Sequence, residues 1–203
     1  MIFYTVTLAL LYIFWNRTQK YLSYEHHATD RIFDKMHDSK FISSANEYLA
    51  KNVSFAKLNI IITTLLLDIN IIYVVYNSIT YDQARPIFLL VVGVILRQMC
   101  QFVIKLPVPH GMVWFDPQFP TFFMVYNTVN DFFFSGHTLV SIITGMTIYS
   151  QTNSILIALY AIMFVIYEIM FVAVSRSHYF MDIYAGVSTY FMLNYFFDNY
   201  FAF

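Results

Sequence analysis

The sequence from residue 154 to residue 182 reads SILIALYAIMFVIYEIMFVAVSRSHYFMD. Residues 154–174 form an apolar run of about the length, roughly 20 residues, that a helix needs to cross a bilayer. The run leads into His178 and Asp182, which lie four residues apart. Because ionisable groups beside a membrane core are costly to bury, this pair indicates a functional site at the end of a transmembrane helix.

A second motif, Phe134-Ser135-Gly136-His137-Thr138, opens another apolar run. Serine can cap a helix start, glycine lets a backbone approach a ligand closely, and helix N-termini favour anions such as phosphate. On a helix, His178 and Asp182 share one face, so the carboxylate can fix the imidazole tautomer. Two imidazoles and a carboxylate are sufficient for covalent phosphoryl transfer, with a nucleophile, an orienting group and a proton donor.

The composition is that of a membrane protein. Of 203 residues, 59% are hydrophobic and only 11% are charged, whereas a soluble domain carries roughly 25% charged residues. The chain has no basic stripe, which argues against a nucleic-acid partner. Cys100 is the single cysteine, so no intrachain disulfide can form. No metal and no cofactor are expected, because the carboxylates do not cluster.

We predict an all-α fold, a single integral membrane domain over residues 1–203 with six transmembrane helices. With six spans, the loops after the first, third and fifth spans lie on one face of the membrane. His137 and His178 therefore reach the same surface, as a shared site requires. The predicted spans are 2–15, 58–76, 87–104, 132–149, 154–174 and 180–197, with a polar loop at 16–57.

The polar loop carries features without a clear chemical role. His26, His27 and His37 have no cysteine partner and no zinc-like spacing, so we predict solvated loop residues. Residues 30–57 fit an amphipathic helix lying on the membrane surface. The loop holds seven of the eleven Lys and Arg residues, which favours a cytosolic location for the loop and for the predicted site.

Several segments resemble sphingomyelin synthases. Residues 131–138 resemble their D-x-x-F-S-G-H-T motif and residues 178–182 their H-Y-T-x-D motif. Plant phosphatidylcholine:diacylglycerol cholinephosphotransferases share this set, and residues 176–179 are similar to their R-G-H-Y. The resemblance covers roughly residues 30–195, and it implies a six-helix bundle of the lipid phosphate phosphatase/phosphotransferase type. Weaker matches are Leu96-Arg97 with Leu106-Pro107-Val108-Pro109, Asp68-Ile69-Asn70, and Phe119-Pro120.

The chain departs from the phosphatases of that group. Arg85-Pro86 resembles the end of their K-x6-R-P motif, but Ser78 stands where the lysine would be. Phe134, not proline, precedes Ser135. The missing lysine removes part of a cage for a phosphate monoester, which favours a phosphodiester substrate with its single negative charge.

The resemblance implies a two-step transfer. His178, oriented by Asp182, attacks the phosphorus of a phospholipid, and His137 protonates the departing diacylglycerol oxygen. The phosphocholine-type headgroup then passes to diacylglycerol. Ceramide as the acceptor, water as the acceptor in a phosphatase, and a non-catalytic lipid-binding protein remain alternatives. The partners are a phospholipid donor, the acceptor lipid and membrane lipids, and a homo-oligomer is left open.

Further residues are expected to bind the substrate. Arg97 could pair with an intramembrane carboxylate or hold the phosphate, and both roles stay open. The candidates are Asp68, Arg97, Asp131, Ser135, Gly136, Glu168, Arg176 and Tyr179, with Tyr126, Phe134, Tyr179 and Tyr184 as aromatic walls for a choline group. A multi-pass protein of the endoplasmic reticulum or Golgi is implied. Sphingomyelin synthases have a lumenal active face, opposite to the side that the loop charges favour, so the side is left open.

Overall fold

The computed structural model describes residues 2–23, 32–124, 126 and 132–201. Within those ranges the chain forms seven helices and no strand, which confirms the all-α prediction for the described residues. The helices are α1 (Ile2–Ser23), α2 (Lys40–Lys51), α3 (Val53–Thr80), α4 (Ala84–Val103), α5 (Gly136–Gln151), α6 (Ile155–Val174) and α7 (Phe180–Tyr200).

Each predicted span overlaps one helix, and α2 is the additional helix among the described residues. Three of the described helices, α3, α4 and α6, are long and apolar enough to cross a membrane. They identify the chain as a membrane protein. The helix that follows the Ser-Gly-His motif, α5, has 16 residues, and it begins at Gly136 because Ser135 caps it.

The polar loop is only partly helical. Within the expected stretch, helix α2 covers Lys40–Lys51, and the chain turns at Asn52 before α3 begins. The helix is amphipathic, since it buries Ile42 and Leu49 and exposes Glu47 and Lys51. The solvated-loop prediction is wrong for His37, whose exposed fraction is 6%. His26 and His27 lie outside the described residues.

Helix α5 is the centre of the bundle, where it packs against α3, α4, α6 and α7. In lipid, van der Waals packing rather than water exclusion holds such helices together. The outer face of α6 exposes Leu156, Leu159 and Met163, as expected for side chains that face lipid. The central core consists of Leu89, Leu90, Phe134, Leu139, Ile142, Ile143, Tyr190 and Leu193.

Three connecting segments meet at one end of the bundle: residues 32–51, 104–124 and 175–179. The amide of Asn46 donates to the carbonyls of Gly111 at 3.0 Å and Val174 at 2.9 Å. The backbone N–H of Val113 donates to Ser175 O at 2.7 Å. These contacts join the loops that follow the first, third and fifth predicted spans. We call this the polar end.

Candidate active site

The turn before α5 is shaped by Ser135. Its Oγ accepts hydrogen bonds from Thr138 N at 3.3 Å and Thr138 Oγ1 at 3.0 Å. Phe134 has φ +70°, a left-handed conformation that is uncommon outside glycine. The Phe134 carbonyl accepts from Arg97 Nε at 3.1 Å. A Cβ on Gly136 would lie 2.8 Å from that Nε, so glycine is required for Arg97 to pack here.

The second motif folds around Asp182, the capping residue of α7. Its Oδ2 accepts from Tyr179 N at 2.9 Å and lies 3.7 Å from His178 Nδ1. The same Nδ1 is 3.3 Å from the carbonyl of Phe132, to which it can donate. Both acceptors face Nδ1, which favours the tautomer protonated there. That tautomer leaves the Nε2 lone pair of His178 available as a nucleophile.

The two motifs are joined directly. Ser135 N donates to the backbone carbonyl of Asp182 at 3.1 Å. One turn later on α7, Gly186 lies against the start of α5. A Cβ there would be 3.1 Å from Ser135 O and 3.3 Å from Leu139 N. Gly186 therefore permits the close packing of the two motifs, and no pattern in the sequence marked this glycine.

His137 lies at the boundary between this polar region and an apolar cavity of about 440 Å³. His137, Gly136 and Arg97 line its polar part. The Arg97 guanidinium also stacks on the ring of Trp15, 4.8 Å from the ring centroid. The apolar walls come from α1, α3, α4 and α5, and they include Leu8, Leu11, Leu67, Ile71, Leu90, Leu139 and Val140. The arrangement suits an amphiphile, with its charged group at His137 and Arg97 and its chains among the helices.

The predicted substrate-binding carboxylates have protein partners. Asp68 Oδ2 accepts from Thr121 Oγ1 at 3.1 Å and Phe122 N at 2.9 Å. It thereby holds a loop whose next residue, Phe123, lines the cavity. Glu168 is fully buried and accepts a hydrogen bond from the hydroxyl of Thr63. Both side chains are buried inside the bundle.

Arg176 and Tyr179 also bind protein groups. Arg176 donates to the carbonyls of His110 at 3.0 Å and His37 at 2.7 Å, so it connects the loops of the polar end. The hydroxyl of Tyr179 donates to Pro107 O at 2.9 Å. Burial raises the pKa of this hydroxyl, which keeps it a donor. Asp131 lies outside the described residues.

A cluster of aromatic side chains lies beside His137, and the sequence did not predict it. The ring of Trp114 meets the His137 imidazole edge to face, with centroids 4.9 Å apart. Trp114 also packs on Tyr126 at 5.9 Å and on Phe171 at 6.2 Å. Tyr126 was among the expected choline walls, whereas Tyr184 is 59% exposed. The signal for Trp114 was its place in an aromatic, proline-rich loop of otherwise unassigned role.

The chain was compared with known proteins. Neither the curated proteins nor the solved structures contain a match. A family model described as AtPDCT1/2 matches residues 38–199, which include both histidine motifs, Arg97, helices α2–α6 and all of α7 except Tyr200. With most of its length matched, the chain belongs to the phosphatidylcholine:diacylglycerol cholinephosphotransferase family, a family of membrane phosphotransferases.

Proposed function

We propose that this protein moves phosphocholine from phosphatidylcholine to diacylglycerol through a phospho-histidine on His178. The observation that carries the proposal is the position of His137 and Arg97 at the polar part of an otherwise apolar cavity. A phosphodiester lipid matches this division, with its phosphate beside the two groups and its acyl chains in the cavity. We further propose that all six helices α1 and α3–α7 cross the membrane, in the endoplasmic reticulum or Golgi.

In the first step, His178 Nε2 attacks phosphorus and the bond from phosphorus to the diacylglycerol oxygen breaks. Protonated His137 gives its proton to that oxygen, and diacylglycerol leaves. In the second step, the hydroxyl of another diacylglycerol attacks the phospho-histidine. His137 accepts the hydroxyl proton, the phosphorus–nitrogen bond breaks, and His178 is regenerated. Asp182 stabilises the imidazolium character that His178 acquires in each step.

Arg97 is the cation placed to offset the phosphate charge. It lines the cavity beside His137, and its guanidinium can offer two parallel donors to phosphate oxygens. Arg85, which belongs to the Arg-Pro pair, lies twelve residues earlier on the same helix, about 18 Å away along the axis. There it pairs with Asp198 at 3.0 Å. Arg97 is the one arginine among the described residues that line this cavity, and a single cation suits a phosphodiester better than a phosphate monoester.

The aromatic group of Trp114, Tyr126 and Phe171 supplies the surroundings for the choline. Quaternary ammonium groups bind over aromatic faces, and Trp114 touches His137 directly. Glu168 lies one helical turn before Phe171 on α6, so its carboxyl group is on the same helix face as this aromatic group. The headgroup therefore extends toward α3 and α6, while the acyl chains extend toward α1 and α4.

The test is a transfer assay in proteoliposomes, with phosphatidylcholine labelled in its choline. We expect label in new phosphatidylcholine when diacylglycerol is added, none with His178→Ala, and near wild-type transfer with Arg85→Ala as the matched control. An acid-labile, alkali-stable labelled protein should accumulate when the acceptor is withheld. When ceramide is supplied in a parallel reaction, label in a ceramide product would make ceramide the acceptor, and free phosphocholine alone would make water the acceptor. Full transfer by His178→Ala would contradict the mechanism.

A further inference from the structure

The turn that carries the proposed nucleophile is held by residues far away in sequence. His37 Nε2 lies 3.0 Å from the backbone carbonyl of His178, across 141 residues. The imidazole of His37 also stacks on the Tyr179 ring, with centroids 6.0 Å apart and planes at 22°. Because a carbonyl oxygen only accepts, His37 must donate through Nε2. His37 therefore contacts the backbone of His178, the proposed nucleophile, and not its imidazole ring.

The same segment completes the start of α7. Asp34 Oδ2 accepts from the backbone N–H of Phe180 at 2.7 Å. The first N–H groups of a helix lack partners within it, and a carboxylate there also matches the helix dipole. Asp182 satisfies the neighbouring Tyr179 N–H. Asp182 and Asp34 thus accept from the adjacent backbone N–H groups of Tyr179 and Phe180, directly after His178.

His37 contacts the turn between α6 and α7 through both its ring and its backbone. Its ring donates to the carbonyl of His178, and its own carbonyl accepts from Arg176 Nη2 at 2.7 Å. Arg176 has φ +53°, a conformation that residues other than glycine rarely adopt and that surrounding contacts must stabilise. The turn between α6 and α7 is therefore supported on both sides of Ser177 by one buried histidine.

We propose that Asp34 and His37 are positioning residues that hold His178 Nε2 in line with the phosphorus. The inference rests on the proposed function, since it takes His178 as the nucleophile. The family match begins at residue 38, so both residues lie outside it. Neither side chain touches the cavity, and their effect is on the rate of phosphoryl transfer and not on lipid binding.

Two substitutions at residue 37 separate the hydrogen bond from the packing. His37→Phe keeps a ring against Tyr179 but removes the donor, and His37→Gln keeps an N–H near the position of Nε2. We expect kcat to fall about 10-fold in His37→Phe with KM within about 2-fold, because small displacements of a reacting group are costly. His37→Gln should retain more than half of the wild-type kcat. The control is His110→Phe, an exposed histidine whose hydrogen bond with Arg176 is made by its backbone carbonyl.

A second measurement is independent of activity. Hydrogen exchange of the Tyr179 and Phe180 amides should accelerate in His37→Phe and Asp34→Ala, and should stay unchanged in His37→Gln and His110→Phe. Equal losses of kcat in His37→Phe and His37→Gln would overturn the positioning role, as would a wild-type kcat in His37→Phe. If the wild-type protein transfers no headgroup, the proposed function fails. Unchanged exchange in both His37→Phe and Asp34→Ala would then overturn the structural part of the inference separately.

Discussion

The polar end contains two histidine–aspartate pairs with similar separations. His178 Nδ1 and Asp182 Oδ2 are 3.7 Å apart, and His37 Nε2 and Asp34 Oδ2 are 3.9 Å apart. The first pair stands beside Ser135 and the start of α5. The second pair contacts the turn between α6 and α7, where Asp34 accepts from Phe180 N and His37 donates to the backbone carbonyl of His178.

The separation within a pair therefore does not decide its role. Both rings are buried and both aspartates accept from an N–H at the start of α7. The difference is the remaining ring nitrogen and what it faces. In His178, Nδ1 faces two acceptors and Nε2 is left for chemistry, whereas in His37 the Nε2 is engaged with protein. One arrangement suits a nucleophile and the other a support.

The largest difference between the pairs should come from their aspartates. Asp182→Asn should lower kcat by about 100-fold or more, because the imidazolium character of His178 loses its counter-charge. Asp34→Ala should lower kcat by less than about 10-fold, because its contact is with the backbone. Headgroup transfer at saturating donor measures both. Equal losses would mean that the two pairs do not have distinct roles.

The first pair also depends on how closely α7 approaches α5. In Gly186→Ala the new Cβ would meet backbone atoms of Ser135 and Leu139, which cannot rotate away. We expect about a 10-fold loss of kcat from displacement of the two motifs. Gly93→Ala is the control, since its Cβ would meet the end of the flexible Leu139 side chain and should cost about 2-fold. A larger loss in Gly93→Ala would contradict this account.

The smallest effect concerns pH and the second pair. Burial lowers the pKa of His37 below its ordinary 6.5, although Asp34 and Asp38 oppose the shift and Arg176 adds to it. At His37 the folded protein therefore binds fewer protons than the unfolded chain. The contribution of the neutral, buried His37 to the free energy of unfolding is present above pH 6.5 and is lost as the pH falls.

Thermal unfolding at pH 7.5 and 5.5 checks the pH effect. The wild-type Tm should fall by about 2 °C more than that of His37→Gln, in which the titrating group is absent. The same decrease in both proteins would assign the acid sensitivity to other groups.

Much of the fold was predictable because it is local. Apolar runs of bilayer length predicted the helices, and the structure forms a helix at each of them. The serine before Gly136 was predicted to cap a helix start, and the spacing of His178 and Asp182 predicted that they share one helix face. The first helix extends to Ser23, beyond the predicted end at residue 15, because the sequence after Trp15 is polar but contains no helix breaker.

The contacts between segments could not be predicted in the same way. His37 was predicted to be solvated because its neighbours in sequence are polar, but its surroundings come from residues 176–179. The sequence also did not indicate that the Arg176 guanidinium donates to the backbone carbonyls of His110 and His37. Polar residues in a loop carry no periodicity from which their partners can be inferred.

The sequence by itself determined the helices, the spacing of His178 and Asp182, and the order of motifs that identifies the family. These properties depend on neighbours within a few residues, because helix periodicity and capping act over one turn. Only the tertiary structure decided that the cavity meets His137 and Arg97, that Gly186 brings α7 against α5, and that His37 supports the turn at His178. Those contacts depend on the lengths and packing of several helices at once, and no single segment encodes them.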